Sequence, residues 1–412
     1  MRIAMVANWW YRRGGLGAVM LDEAAELERR GYEIIPFAAR HPENLATSWA
    51  SYFPEFRETA DLGAAMTPAG RVSTALRLLH NSEAVACFAR LLDDTHPDVI
   101  HLHNSVRQLS PGILAVAQRR RIPVVMTQHN YGLVCPQGLL LKGEREACTP
   151  PNCTRGNSLP AVARRCVRRR LVPSAVAAVE YGLHRARGSY AARVQLLLAP
   201  SHFIAKVLVD AGLPAGKVRH LANGIDPGGE PPTLPAAGGH ILYAGRLVRE
   251  KGLLVLIEAA RRLPAISVVV AGDGPEREVL QLSAPPSVRF VGHRTKDELK
   301  QLRAESVAIV SPSIWYENGP ISVLEAMRDG RPSIVTDIGG QAELVAERGG
   351  LVVPPRDPGA LAEAMSQLWD DRNTAAVIGR AGRERLLASF TLAEHVSRLE
   401  ALYDEVRAPD AH

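Results

Sequence analysis

Two doubly wound α/β domains are the fold class this sequence predicts, and three observations carry that reading. Short, almost unbroken apolar runs rich in Val, Ile and Leu alternate with stretches whose apolar residues recur at helical spacing. That is the pattern of parallel strands covered by helices on both faces. One stretch crowded with Gly and Pro, LANGIDPGGEPPTLPAAGGH (221–240), interrupts the alternation and reads as a linker. Finally, 412 residues exceed one ordinary core and suit two domains of similar size.

The elements follow in order. RIAMVA (2–7) is the first strand, and not a signal peptide, because no small-residue cleavage site comes after it. GAVMLDEAAELERRG is the first helix, with Gly31 as its stop. YEIIPF, DVIHLH, IPVVMT and VQLLLA continue the strands of a first domain, 1–222. After the linker (223–239) come HILYAG, ISVVVAG, VRFVG, VAIVS, PSIVT and GLVV, the strands of a second domain, 240–390. The second sheet is then complete, so the amphipathic helix 391–407 is expected to pack back on the first domain. Two such domains facing across a cleft would bind ligands at strand C-terminal ends, and the loops there are where chemistry is expected.

Composition narrows the class. With 46% hydrophobic and 22% charged residues the chain is an ordinary globular protein. A net charge of +6 suits an anionic substrate or membrane surface and is too small to argue for nucleic acid. No eighteen apolar residues follow one another, so no membrane span is expected and a cytoplasmic location is. The five cysteines (Cys87, Cys135, Cys148, Cys153 and Cys166) are an odd number, which argues against a disulfide scaffold. Four of them stand as C-x12-C-x4-C-x12-C, without the C-x2-C knuckles of common zinc sites. Partly buried thiols are expected there, with a structural metal as the alternative.

Three loops carry candidate chemistry. NWWYRRGGLG brings Gly14, Gly15, Leu16 and Gly17 to a helix start, where backbone amides and a partial positive charge suit an anion. It is not the dinucleotide fingerprint G-x-G-x-x-G, and GLPAGKV (212–218) is one residue short of a P-loop. GRLVREKG places Arg246 just past a strand and Lys251 at the next helix start, two cations able to neutralise a diphosphate. The sequence contains no D-x-D pair, so a metal-carrying aspartate motif is absent and no divalent metal is expected.

The third loop is PSIWYENGPISVLEAMRDGRP. Pro320 fits a first helical position, and the amides of Asn318, Gly319, Ile321 and Ser322 around it are expected free at a positive helix end. Glu317 stands just before that end and Glu325 two turns inside, among apolar neighbours. Glu317 alone reads equally as a stabiliser of the helix dipole. Glu325 wants a hydrogen-bonding partner, which a ribose diol would supply.

The pair stands as E-x7-E, and SPSIWYENGPISVLEAM…GRPSIVTDIGGQAELV resembles the donor-site signature of glycosyltransferase family 4. YAGRLVREKGLLVLIEAARRL, VVVAGDGPEREVL, VRFVGH and LANGID resemble its other segments in the right order, and TQHNYGLVCPQG resembles the T-x-H loop of polysaccharide-building members. The resemblance implies a GT-B fold and a retaining enzyme that uses a nucleotide sugar as substrate, with no cofactor. It implies that Arg246 and Lys251 hold the donor diphosphate, that Glu325 binds the ribose, and that Glu317 contacts the transferred sugar beside the Asn318, Gly319 and Ile321 amides. Gly15 to Gly17 would border phosphate and acceptor, and His129 would reach the sugar and its phosphate. Many members carry Phe-Gly after the first glutamate; Asn318-Gly319-Pro320 stands there instead, which leaves the donor sugar open, as UDP-linked or GDP-linked. Asn130 stands where an aspartate often follows the histidine. His101 and His103 at a strand end are read as structural.

The acceptor implied is a glycan or lipid-linked saccharide. Between Ala161 and Arg193 lie eight arginines (164, 165, 168, 169, 170, 185, 187 and 193) against one acid, Glu180. Such a segment can hold a protein on anionic lipid or grip acceptor phosphates, and reads equally as a solvated helix face. Two rivals to the transferase reading are a sugar-nucleotide epimerase of the same fold and a non-catalytic partner subunit. The latter has no reason to keep both glutamates, Arg246 and Lys251.

Overall fold

The structure, a computed structural model, describes residues 1–55, 77–104, 106–143, 146–148, 153–235, 237–346 and 348–408. It divides into two compact units: Met1–Glu144 with Cys148–Ala222 and His395–His412, and Arg145–Ala147 with Asn223–Glu394.

Up to residue 220 the chain runs β1 (Arg2–Val6), α1 (Gly14–Arg29), β2 (Glu33–Phe37), α2 (Ser82–Thr95), β3 (Val99–His103), α3 (Gly112–Arg119) and β4 (Val124–Thr127). Then come the short β5 (Leu141–Lys142) and β6 (Glu146–Ala147), α4 (Leu159–Ala163), α5 (Leu171–Ala186), β7 (Leu196–Ala199), α6 (His202–Asp210) and β8 (Val218–His220). The first unit's sheet is all parallel in the order β2-β1-β3-β4-β7-β8. Its apolar strands are buried on both faces because helices cover both. β3 is buried throughout although it reads VIHLH, so its two histidines need partners inside the unit.

The second unit comprises β9 (His240–Ala244), α7 (Leu253–Arg261), β10 (Val268–Ala271), α8 (Arg277–Ser283), β11 (Val288–Gly292), α9 (Lys296–Ala304) and β12 (Ser306–Ser311). It continues with α10 (Ile321–Arg328), β13 (Ser333–Thr336), α11 (Gln341–Val345), β14 (Gly350–Val353), α12 (Pro358–Asp370) and α13 (Arg372–Ser389). The strand order β11-β10-β9-β12-β13-β14, again parallel, is that of a dinucleotide-type doubly wound sheet. The chain leaves β9 toward one edge and β12 toward the other, so the switch point lies between these adjacent strands. Its core packs Ile241, Val268, Val270, Val310 and Ile334 of the sheet against Leu256 and Ile257 of α7 and Met365 and Leu368 of α12.

The last helix, α14 (Leu392–Arg407), belongs to the first unit from His395 onward. It buries His395, Val396, Leu399, Tyr403 and Val406, a stripe at helical spacing. Arg30, the C-cap of α1, pairs with Glu400 at 2.7 Å, and Arg219 of β8 with Glu405 at 2.8 Å. Among the described residues no helix is long and apolar enough to cross a membrane.

Candidate functional site

In the second unit the loops that leave β9 and β12 meet at the switch point. Gly252 permits the approach: its φ is +72°, and a Cβ there would lie 1.9 Å from the carbonyl oxygen of Pro312. The Ile314 amide donates to the carbonyl of Glu250 at 3.0 Å, tying one loop to the other. Lys251 Nζ then donates to Glu317 Oε1 at 2.6 Å, and Ser313 Oγ donates to the same oxygen at 2.5 Å. Only 6% of the Glu317 side chain is exposed, a burial that a carboxylate tolerates when a cation and a hydroxyl both donate to it.

The backbone of Glu317 is held as tightly. The Gly340 amide donates to its carbonyl at 2.5 Å, and a Cβ on Gly339 would come within 2.5 Å of its nitrogen. Lys251 is 21% exposed and lies 5.8 Å from the Trp315 ring centroid. Arg246 is different: 67% of its side chain is exposed, with its ion-pair contact to Glu250 at 3.9 Å. Tyr243 fixes the start of that loop by donating to the carbonyl of Arg246 at 2.8 Å. Burial, and then the charge of Glu317, push its phenol well above the usual range, so it remains a neutral donor.

Glu325 lies on α10 with 28% of its side chain exposed. The hydrogen-bonding partner the sequence called for is supplied in part by the protein itself. Arg303 of α9 donates to its Oε2 at 3.3 Å and to Asp329 Oδ2 at 2.5 Å. The Arg303 guanidinium is buried, and a buried cation must be paired, so it takes both acids. Pro320 is also corrected: it is the N-cap, with ψ of 124°, and the helix begins at Ile321. Proline's fixed φ suits an extended cap as well as a first helical turn. No side chain caps this helix, so the Ile321 and Ser322 amides have no partner within it. Asn223 Nδ2 donates to the carbonyl of Gly319 at 3.2 Å, holding the turn that leads in.

In the first unit Gly14, Gly15, Leu16 and Gly17 form the first turn of α1, whereas the sequence put them in the preceding loop. Gly14, with φ of +61°, makes the entry, and a Cβ on Gly17 would meet the carbonyl oxygen of Tyr11 at 2.6 Å. Arg13 supplies no side-chain cap, so the amides of this glycine turn remain a candidate anion site.

His129 follows β4. Its amide and that of Asn130 both donate to Asn104 Oδ1, at 2.6 and 3.1 Å. Its Nε2 lies 3.0 Å from His103 Nδ1, the rings stacked at 5.3 Å. Burial, then the neighbouring His103, hold its imidazole well below the ordinary histidine range, so it is neutral near pH 7.

Sequence reasoning missed the group behind it. Glu23 of α1 lies with its Oε1 3.1 Å from His101 Nδ1 and 3.5 Å from His103 Nε2, and its Oε2 3.0 Å from His395 Nε2. Tyr403 OH reaches His101 Nδ1 at 2.7 Å, and Thr127 Oγ1 lies 2.8 Å from His101 Nε2. Burial, and then His103, depress His101 to about 4. These contacts give His101 and His103 a structural occupation, joining β3 to α14. The signal in the sequence was histidine on a strand with no exposed face.

The arginine-rich segment is corrected in form. Arg164, Arg165, Arg168, Arg169 and Arg170 are exposed but lie on the turns between α4 and α5, not on a helix face. Three of them take left-handed backbone, which no helix face permits. Arg185 and Arg193 are engaged internally, donating to the carbonyl of Ala211 at 2.5 Å and to Gln118 at 3.0 Å.

Comparison with known proteins places this chain. Residues 13–228 match the family model described as Glycosyltransferase Family 4, and residues 233–385 match Glycosyl transferases group 1. Glycogen synthase of Mycobacterium tuberculosis is 36% identical over 183 residues, 41% of this chain and 44% of that protein. Sulfoquinovosyl transferase SQD2 of Arabidopsis thaliana is 28% identical over 307 residues, 70% of this chain and 53% of that protein. The matched part thus spans about half the length of these relatives. Sucrose-phosphate synthase from Thermosynechococcus elongatus superposes with a TM-score of 0.69 at 20% identity, over 98% of this chain and 99% of that one. Anabaena Alr3699/HepE, solved in complex with UDP and glucose, gives 0.65 at 17% identity, over 98% of this chain and all of that one. The fold is GT-B.

Proposed function

Because the chain belongs to glycosyltransferase family 4, we propose that it is a retaining glycosyltransferase that works without a divalent metal. It moves a sugar from a UDP-linked or GDP-linked donor to a glycan or lipid-linked saccharide, in the building of a cell-surface polysaccharide or glycoconjugate. The observation that carries the reading is the Lys251–Glu317 pair at the switch point of the second sheet, with Arg246 exposed beside it and Glu325 on the helix that follows.

Cleaving the sugar–phosphate bond builds negative charge on the departing diphosphate and positive charge on the sugar carbon. Arg246, Lys251 and the amides of Ile321 and Ser322 answer the first charge, and preorganised groups of this kind usually supply the largest catalytic term. Glu317 answers the hydroxyls of the transferred sugar, and Glu325 the ribose. When phosphate takes over Lys251, Glu317 is released toward the sugar, so donor binding itself frees the carboxylate. Gly15, Leu16, Gly17 and His129 serve phosphate and acceptor on the first unit, as family resemblance implies. A thermal-shift screen of UDP, GDP and ADP, then of their sugars, tests the assignment, because a ligand of the folded state raises the melting temperature. No shift with any of them would overturn it.

We also assign the turn before α5 to an anionic membrane surface at the cytoplasmic face. Beside its exposed arginines stand Leu159, Leu171, Val172 and Val179, each at least half exposed. Cations with neighbouring apolar side chains suit a lipid interface. Sedimentation with anionic liposomes should show binding that weakens at high salt; equal binding to neutral vesicles would refute it.

A further inference from the structure

Four of the five cysteines converge. Cys135 follows β4, Cys148 follows β6, Cys153 lies in the turns before α4, and Cys166 follows α4. All four line one cavity of about 20 Å3, closed otherwise by Leu140, Leu141, Thr154, Pro160, Ala161 and Arg164. That is room for about one water-sized body. None of the four is in a disulfide. Each is placed by the backbone around it. The Cys135 amide donates to Tyr131 at 2.9 Å, that of Cys148 to Leu140 at 2.6 Å, and that of Cys166 to Ala161 at 2.9 Å. Tyr181 OH donates to the carbonyl of Cys153 at 3.1 Å.

We propose that Cys135, Cys148, Cys153 and Cys166 are the ligands of one structural metal ion of the zinc class. Three features point that way. Four thiols drawn from four separate turns have no packing reason to share one small cavity. Among the described residues the stretch they join has only β5, β6 and the five-residue α4 as regular structure, and regions with so little core are commonly stapled by metal or disulfide. A tetrathiolate carries two net negative charges once a divalent ion is bound, and Arg164 in the cavity wall, with Arg165 next to it, supplies the offset. Thiolate-only sets select zinc among the common divalent ions, in closed tetrahedral sites.

The sulfurs ring the cavity more loosely than a bound ion would hold them. Among the described residues the group whose ligand atoms all lie within 4.8 Å of one another is Glu23, His101 and His103. Binding therefore draws the four sulfurs inward, as metal sites coupled to folding do. The occupation is structural, and the transfer chemistry proposed above does not run through it.

The test uses the full chain, expressed with zinc and purified without chelator. Metal analysis should give about one zinc per chain. Cobalt loading should give the intense near-ultraviolet sulfur-to-metal bands and tetrahedral visible bands that nitrogen and oxygen ligands do not produce. Cys148→Ser, at a half-buried position, should lower zinc affinity at least about tenfold while the protein remains folded; Cys87→Ser, on α2 away from the cavity, should not. Several results would overturn the proposal. These are the absence of metal together with cobalt spectra lacking sulfur bands, zinc that persists in Cys148→Ser and is lost in Glu23→Gln, or a mass lighter by two or four hydrogens, which would mean disulfides. If Cys148→Ser fails to fold, cobalt spectra of the wild type decide.

Discussion

Glu317→Gln separates two occupations of one carboxylate. The substitution keeps shape and removes charge, so Lys251 and Ser313, which donate to Oε1 at 2.6 and 2.5 Å, lose a charged acceptor. Hydrogen bonds to charged groups are worth about 1.5–3 kcal/mol each, and breaking a buried ion pair costs about 3–5 kcal/mol. Lys251 is 21% exposed and can recover part of its hydration, so the lower end, about 2–3 kcal/mol, is expected. At roughly 2–4 °C per kcal/mol for a unit of this size, the melting temperature should fall by about 4–12 °C. Saturating nucleoside diphosphate should erase much of that deficit, because phosphate then replaces the carboxylate as the partner of Lys251. Scanning calorimetry on wild type and variant, with and without the diphosphate, reads both quantities. An unchanged melting temperature would mean that the pair holds nothing. A deficit that persists in saturating diphosphate would mean that Lys251 never passes to phosphate.

Glu325→Ala should weaken binding of the free nucleoside diphosphate about tenfold or more, from the loss of 1.5–3 kcal/mol of charged hydrogen bonding. It should leave the fold intact, since Arg303 keeps Asp329 at 2.5 Å; titration calorimetry with unchanged affinity would refute the ribose role. Lys251→Met should cut turnover far more than Arg246→Lys, because Arg246 keeps a cation in the second case, and transfer rates on both variants decide it. Added Mg2+ or Mn2+ should leave the transfer rate unchanged, and a several-fold rise would refute a metal-free mechanism. Stability of the first unit should depend on acid. The folded pKa of His101, about 4 through burial and then His103, lies below its unfolded value near 6.5. The unfolded chain therefore binds more protons in that window, and His129, depressed in the same sense, adds to it. Stability is full above about pH 6.5 and falls toward pH 4 by up to about 3 kcal/mol; a denaturation midpoint flat from pH 7 to 5 would contradict this.

The second unit was the more legible half. Its four inner strands are buried parallel strands, and HILYA, VVVA, SVAIVS and SIVT announce themselves that way, while the part-exposed edge strands VRFVG and GLVV still keep enough Val and Leu to be read. In the first unit β8 escaped notice because Val218–His220 is three residues long, partly exposed and carries Arg219. Helix α1 starts three residues earlier than the sequence suggested. Glycines signal a loop by propensity, while here their lack of a side chain is what lets the turn pass beneath Tyr11. At the candidate site the motif located Glu317, Glu325, Arg246 and Lys251, but not their mutual pairing. Arg303 stands 22 residues before Glu325, and nothing along the chain says that α9 turns its one buried cation toward α10.

The Glu23 group shows the same limit from the other side. Its members come from α1, β3, β4 and α14, so no local pattern contains them. Hydrogen-bond chemistry nevertheless constrains their protonation once they are together. His395 Nδ1 lies 2.7 Å from the carbonyl oxygen of Ala222, which only accepts, so Nδ1 carries the proton. Its Nε2 then meets Glu23 Oε2 at 3.0 Å. Burial alone would push Glu23 up, but the facing imidazoles His101 and His103 bring it below the ordinary carboxylate range. A carboxyl group thus sits inside α1 and an imidazole inside α14, each with its hydrogen-bonding partner in the other element. Removing either leaves a buried polar group without its partner in the core of the first unit. That is a physical reason for the last helix to be anchored on this unit: its apolar stripe supplies area, and His395 supplies the match.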